Sequence, residues 1–568
     1  MTTTANGSPA GASKGAFYDE VNRFVGWYLA ENPVMATEMG LHAYDNRLAD
    51  TSPEGLARVR LGLEQFLDRL PRYRPDGDVD WEIDYRLMAA MAGGRLRALD
   101  TRDLAHRSPD FYAAEALFGP YSLLMKEFAP LDERLRNLAG RLAEVPRVLA
   151  EAERNLDVCP PSWVDGAVES VEGGLALLQH LIPALAQSIR ADDMILAARI
   201  EATNAKAIAA VQRYRQFLVE TLRPRAGGTF AIGAAAWNAM VREEHMLDLD
   251  ATAIEAIGQD LIRETQAALA EEAEAIVARE GGPPRPWQEL LNEVRADHPT
   301  ADGLVPAYQA AMEASRAFIV EHDLVTLPPD EHLHIAETPP FVRPFYPFAA
   351  YLQPGAFEEK QSGIFWVTPV PPGLPAAETE SLLRGHPHAK IPITAVHEGY
   401  PGHHVQLSRA NGASVPRRLG QSLADLFIEG WAFYCEELME AEGFLTDPRG
   451  RLMRLADQLW RACRIVIDVG LHCGNLSFDA AVQMLVDVAR LEPANARAEV
   501  QRYTQSPTQP MSYLMGKREI LRLAADYRAH EIAGGRPFEL KRFHDTLLAC
   551  GSLPPRLLRL ALFGPPAS

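Results

Sequence analysis

The chain has 568 residues, 47% of them hydrophobic, and a formal net charge of −20. That length allows roughly three or four average domains, or one continuous helical body, with a core of ample size. The acidic balance opposes binding to nucleic-acid phosphates, which needs clustered Lys and Arg, and no run of about twenty uninterrupted apolar residues is present to span a membrane.

Residues 1–16 are polar and small, without a basic start followed by an apolar run. They read as a disordered lead-in and no secretory signal. The five cysteines, Cys159, Cys435, Cys463, Cys473 and Cys550, form no CxxC pair, and five is an odd number for a disulfide framework. Reduced thiols in the cytoplasm are expected.

Helical periodicity predicts Phe17–Glu31, ended by Asn32-Pro33, then Pro53–Leu70, Trp81–Leu99, Asp110–Phe118, Pro130–Asn155, Trp163–Ala191 and Leu196–Leu222. In Pro130–Asn155, leucines 131, 135, 138 and 142 recur at spacings of one helix face. The Gly-rich Arg223–Gly233 reads as a joint, followed by helices Ala251–Arg279 and Ala301–Glu321. The pattern then changes. His332–Thr338 alternates, Pro339, Pro340, Pro344 and Pro347 prevent helix, and the β-branched and aromatic Ser362–Val370 reads as a strand. From Pro392 onward the chain is helical again. The expected fold is mainly α, a large helical body with a small antiparallel β-sheet beside an active-site cleft. Residues 17–225 form an N-terminal helical half and 226–568 a C-terminal half carrying the sheet, together one continuous body.

The stretch Thr394–Ala410, TAVHEGYPGHHVQLSRA, concentrates His397, Glu398, His403 and His404. A zinc peptidase helix carries two His one turn apart, with a Glu after the first that takes a proton from the zinc-activated water. Here the second His would have to stand at 401, where the chain has Pro401. Pro401 has no N–H to give the carbonyl of residue 397, and Gly399 and Gly402 loosen the turn. A break is expected, returning either His403 or His404 to the position one turn above His397. A third donor is expected from Glu429, 32 residues after His397 in the helical segment Asp425–Glu440 and flanked by Phe427, Ile428 and Trp431. An acid in that setting must be paired or metal-bound. Glu436 and Glu437 read as a solvated face. In Arg454–His472, Arg464, Asp468 and His472 recur at i, i+4 spacing, which suits metal support, a clamp on a substrate carboxylate, or a structural ion network. Tyr513 opens a helix after a proline turn and is a candidate donor to an oxyanion.

HEGYPGHH, EGWAFYCEEL, RIVIDVGLH and PTQPMSYLMGKREIL, with NPVMATEMGLHAYDNRLAD at Asn32–Asp50, resemble the bacterial domain-of-unknown-function 885 family over nearly the whole chain. Such proteins are similar to gluzincin-type metallopeptidases, mostly helical with a cleft between two halves. The resemblance implies one Zn²⁺ held by His397, a histidine of the 403/404 pair and Glu429, with Glu398 as general base. Some relatives look like exported lipoproteins; the start of this chain differs from theirs, and an intracellular role is expected.

The activity expected is hydrolysis of peptide bonds in short peptides, by an oligopeptidase or carboxypeptidase. Tyr513 or His472 would stabilise the oxyanion, and Arg464, Asp468 and Lys517 would contact substrate. A free edge of the Ser362–Val370 strand would pair with an extended peptide. Two alternatives are a zinc hydrolase acting on an amide of a peptide-like secondary metabolite, and a non-catalytic helical binding protein with a degenerate metal site.

Overall fold

The computed structural model describes residues 13–329, 331–339, 343 and 349–565. Among these residues the chain is mainly helical, with one three-stranded sheet. The first helix, Lys14–Glu31, begins inside the expected lead-in because the Ser13 side chain accepts from the amide of Ala16. Ser52 caps Pro53–Arg69 in the same way, and Asp78 caps Val79–Thr101. The expected Asp110–Phe118 helix starts at Pro109 and widens into a π turn at Ala114–Phe118 before continuing as Gly119–Met125.

Leu131–Asn155 and Pro161–Ile189 both pack on Met194–Gln216, in a core that includes Leu135, Leu138, Leu142, Val164 and Ile200. Three of the four leucines expected on one face are fully buried; Leu131, the first residue of the helix, is 42% exposed. A second core joins Ala251–Glu280 to Pro448–Cys473. They approach closely at Gly258, where a Cβ would stand 2.9 Å from Ile465 and Val466 side-chain atoms. A third core mixes the first helices (Phe17, Phe24, Phe66, Leu87) with Phe427, Trp431, Ile520 and Phe543. The N-terminal helices therefore buttress the helices that follow the histidine stretch. Among the described residues, no helix is long and apolar enough to cross a membrane.

The sheet has the order β1-β3-β2, with β1 His332–Glu337, β2 Ala349–Leu352 and β3 Ser362–Val367. It is mixed, where an antiparallel sheet was expected: β1 runs parallel to β3 and β2 antiparallel to it. β1 thus pairs one edge of β3 over residues 362–367 and β2 the other over 364–367, so along 364–367 the strand has no free edge for a substrate. Phe365 and Val367 of β3 pack on Tyr308, Met312, Ile391 and Ala395, fastening the sheet to the helix that carries His397. Of the prolines expected to break this region, Pro340, Pro344 and Pro347 lie outside the described residues.

One helix crossing sets the spacing of the site. Asp425–Ala441 and Ser512–Ala533 touch backbone to backbone through two glycines. A Cβ on Gly516 would stand 1.8 Å from the carbonyl oxygen of Leu426, and one on Gly430 would stand 2.4 Å from the carbonyl carbon of Gly516. Gly516→Ala is expected to force the helices apart and to lower stability by about 2 kcal/mol or more, read as a lower urea midpoint. An unchanged midpoint would show that the contact is not constraining.

Candidate metal centre

The helix Ile391–Glu398 ends where residue 401 cannot donate to the carbonyl of His397. The amides of Gly399 and Tyr400 close back on Ala395 O, at 2.9 and 3.2 Å, and that of Gly402 on Val396 O at 3.0 Å. Only glycine fits at 402: a Cβ there would lie 1.9 Å from His397 O. A second helix, His403–Ala410, starts immediately. Trp431 Nε1 donates to Pro401 O at 2.9 Å, tying the break to the helix that carries Glu429.

The break sets the imidazoles of His397 and His403 edge to face, with ring centres 4.8 Å apart. Glu429 faces them from the neighbouring helix, its Oε2 3.5 Å from His403 Nε2. One donor atom from each of His397, His403 and Glu429 lies within 4.8 Å of the other two. That is wider than the roughly 3.4 Å between donors of a tetrahedral zinc, a difference that small side-chain rotations cover. His397 Nδ1 bonds Glu436 Oε1 at 2.8 Å, which leaves Nε2 for the cluster. Glu436 is buried, and the expectation of a solvated face there is corrected. It stands seven residues after Glu429, two turns along the same helix face, and that spacing was the signal that could have identified it. Glu437 is half-exposed.

The charges fit a cation. Burial opposes a proton on His397, but Glu436, Glu398 and Glu429 outweigh it and raise the ring's pKa. Burial likewise pushes the Glu429 carboxyl up, while the adjacent His403, with His397 and Arg464, holds it down at about 2. Three carboxylates thus surround two imidazoles. Glu429 Oε2 and His403 Nδ1 are buried with no hydrogen-bond partner, and an unpaired buried acceptor costs about 1–3 kcal/mol. A divalent ion between the rings and Glu429 would satisfy that acceptor, so the donor set fits Zn²⁺.

His404 turns away from the cluster. It is fully buried, with Nε2 2.9 Å from Glu331 Oε2 and Nδ1 3.1 Å from the Tyr351 hydroxyl. Glu331 also accepts from Tyr400 at 2.8 Å and from Arg316 at 3.0 Å. Of the two candidate histidines, His403 is the one facing Glu429, because successive helical residues point about 100° apart. Glu331 and Tyr351 lie 73 and 53 residues from His404, and nothing local in the sequence marks them. Gly363 lets the sheet approach here; its Cβ would stand 2.8 Å from His404 Nδ1.

Tyr513 lies at the cluster, its ring centre 6.4 Å from that of His397. Burial, then the Glu429 charge, raises its pKa. Arg464 stacks over Tyr513 at 4.6 Å, donates to the Tyr503 hydroxyl at 2.6 Å and pairs with Glu499 at 2.9 Å. Asp468 and His472 have structural partners instead of a ligand-facing role. Asp468 accepts from the amides of Thr508 and Met511 at 3.0 and 3.3 Å, holding the turn before Tyr513. His472 donates from Nε2 to Tyr503 O at 2.9 Å, and burial lowers its pKa to about 4, so it holds no charge for an oxyanion. Lys517 is buried against Glu437 and Gln458, away from the expected role on substrate. Glu398 is half-buried, its charge acting on His397, Tyr308 and Tyr351.

No curated protein matches the chain. Among solved structures, a candidate lipoprotein of unknown function from Shewanella oneidensis is similar, with a TM-score of 0.78 and 23% identity, over 96% of this chain and 99% of that one. A candidate lipoprotein from Colwellia psychrerythraea gives 0.82 and 19%, over 97% and 99%. These likenesses are of fold. The model of a family described as bacterial protein of unknown function matches residues 33–562, and the chain therefore belongs to that family, DUF885.

Proposed function

We propose that the protein is a zinc-dependent hydrolase of gluzincin type that cleaves peptide bonds in short peptides. The observation that carries this reading is the convergence of His397, His403 and Glu429, with His397 oriented by the buried Glu436. A zinc ion in that set supplies a Lewis acid for the scissile carbonyl and lowers the pKa of a water. Glu398, next to His397 in sequence and half-buried, accepts the water's proton and returns it to the leaving amine. Glu436 fixes the tautomer and direction of His397. Tyr513, beside His397, donates its hydroxyl to the developing oxyanion. We read the working compartment as the cytoplasm, because all five cysteines are free; the lipoprotein description belongs to the two similar structures.

Metal analysis of protein purified without chelator is expected to find about one zinc per chain. Glu398→Gln should keep the zinc and lose hydrolysis of a peptide library; retained turnover would remove Glu398 from its role. His403→Ala is expected to abolish zinc binding while His404→Asn retains it, and the reverse result would exchange their assignments. Glu436→Gln should weaken zinc affinity about 10- to 100-fold, with activity restored by added zinc; an unchanged affinity would leave Glu436 without a function at the metal.

A further inference from the structure

The wall beside Tyr513 carries positive charge that its own ion pairs do not consume. Asp457 lies 3.4 Å from both Lys390 and Arg461, and Glu499 lies 2.9 Å from Arg464 and 3.0 Å from Arg502. Four cations thus share Asp457 and Glu499, with the Glu429 carboxylate also in the field of Arg464, in a chain whose net charge is −20. The guanidinium carbons of Arg461 and Arg464 stand 5.6 and 4.6 Å from the Tyr513 ring centre, and 4.1 and 4.6 Å from that of Trp460. Nε of Arg461 and Nη1 of Arg464 are buried without a hydrogen-bond acceptor, and Nη1 of Arg461 has only the 3.4 Å ion pair with Asp457. Arg464 is 3% exposed, whereas the Arg461 side chain is 14% exposed.

Unpaired guanidinium N–H groups are costly in such a place unless an anion completes them. The planar fork of arginine matches a carboxylate, and aromatic faces shield the pair from water. The same Tyr513 ring that carries the two cations stands beside His397.

We propose that Arg461 and Arg464, stacked on Tyr513 beside the His397–His403–Glu429 cluster, form a subsite for the terminal α-carboxylate of a peptide, so that the protein trims peptides from their C-terminal end. This rests on the hydrolase reading above and specifies its substrate class. Extended peptide advances at most about 3.5 Å per residue, so a carboxylate on this wall sets the scissile bond one to three residues from the chain end. Hydrolysis there breaks the amide C–N bond; the hydroxyl of water goes to the acyl carbon and its proton to the departing amine.

The test uses full-length protein carrying Glu398→Gln, which leaves binding to be measured by calorimetry without turnover. The probes are N-acetyl tripeptides of alanine and phenylalanine, as free acids and as C-terminal amides, and an amidated peptide with an internal glutamate. The free acid is expected to bind at least about tenfold more tightly than its amide. Adding Arg461→Gln should erase that difference and leave amide binding unchanged, while Arg461→Lys, which keeps the charge and loses the fork, restores part of it. Equal binding of acid and amide, or loss of both together in Arg461→Gln, overturns the subsite. So does preferential binding of the amidated glutamate peptide, which would mean recognition of a side-chain carboxylate. Zinc content is measured on the same samples. Absence of zinc would overturn the hydrolase reading, while the acid-to-amide difference still decides the subsite.

Discussion

The carbonyl of His397 has no donor four residues ahead, because residue 401 is proline. The centre depends on that missing hydrogen bond. A continuous helix would carry His403 and His404 almost two turns beyond His397, roughly 10 Å along the axis. With the ladder interrupted, the chain folds back over Val396 and His397 through Gly402, whose missing side chain leaves room for their carbonyls. The second helix then restarts with His403 against His397. The break is held from outside by Trp431, which bonds Pro401 O from the same helix that presents Glu429. One helix therefore fixes both the interruption and the acid that faces it.

Around that break, charge follows burial. Glu398, Glu429 and Glu436 are gathered about two imidazoles in a setting where an unpaired carboxylate is unfavourable. The arrangement favours positive charge between them, and protons on the rings or a metal ion answer the same demand. The second histidine, His404, belongs to a separate buried network with Glu331, Tyr400, Tyr351 and Arg316. That network ties the helix after the break to the sheet and to Leu304–Glu321, so the cluster has support on the side opposite Glu429. The close crossing at Gly430 and Gly516 completes the frame by setting Tyr513 beside His397.

The arginine wall repeats this logic with the opposite sign. Arg461 and Arg464 lie one turn apart on Pro448–Cys473, and Asp468, one turn further, holds the loop before Tyr513 by its amides. A face that reads as one run of cation, anion and imidazole thus divides in space. Arg464 stacks over Tyr513, Asp468 supports the loop, and His472 bonds the Tyr503 carbonyl.

Much of the helical frame was legible in the sequence because it depends on local rules: apolar spacing and proline steps. The break at Pro401 is local chemistry too, and the need of Glu429 for a partner follows from its apolar neighbours. Glu436 was readable from its seven-residue spacing to Glu429, yet its surroundings on the helix looked polar, and burial on that face comes from the histidine helix laid against it. Sheet order, the pairing of both edges of β3, and the Glu331–His404 bond are contacts between distant segments, and no local periodicity encodes them. The sequence by itself determined a mainly α chain and a broken helix carrying one histidine before the break and two after it. Tertiary structure alone decided which of those two faces Glu429, because that choice depends on how the second helix is rotated against the sheet and against Asp425–Ala441.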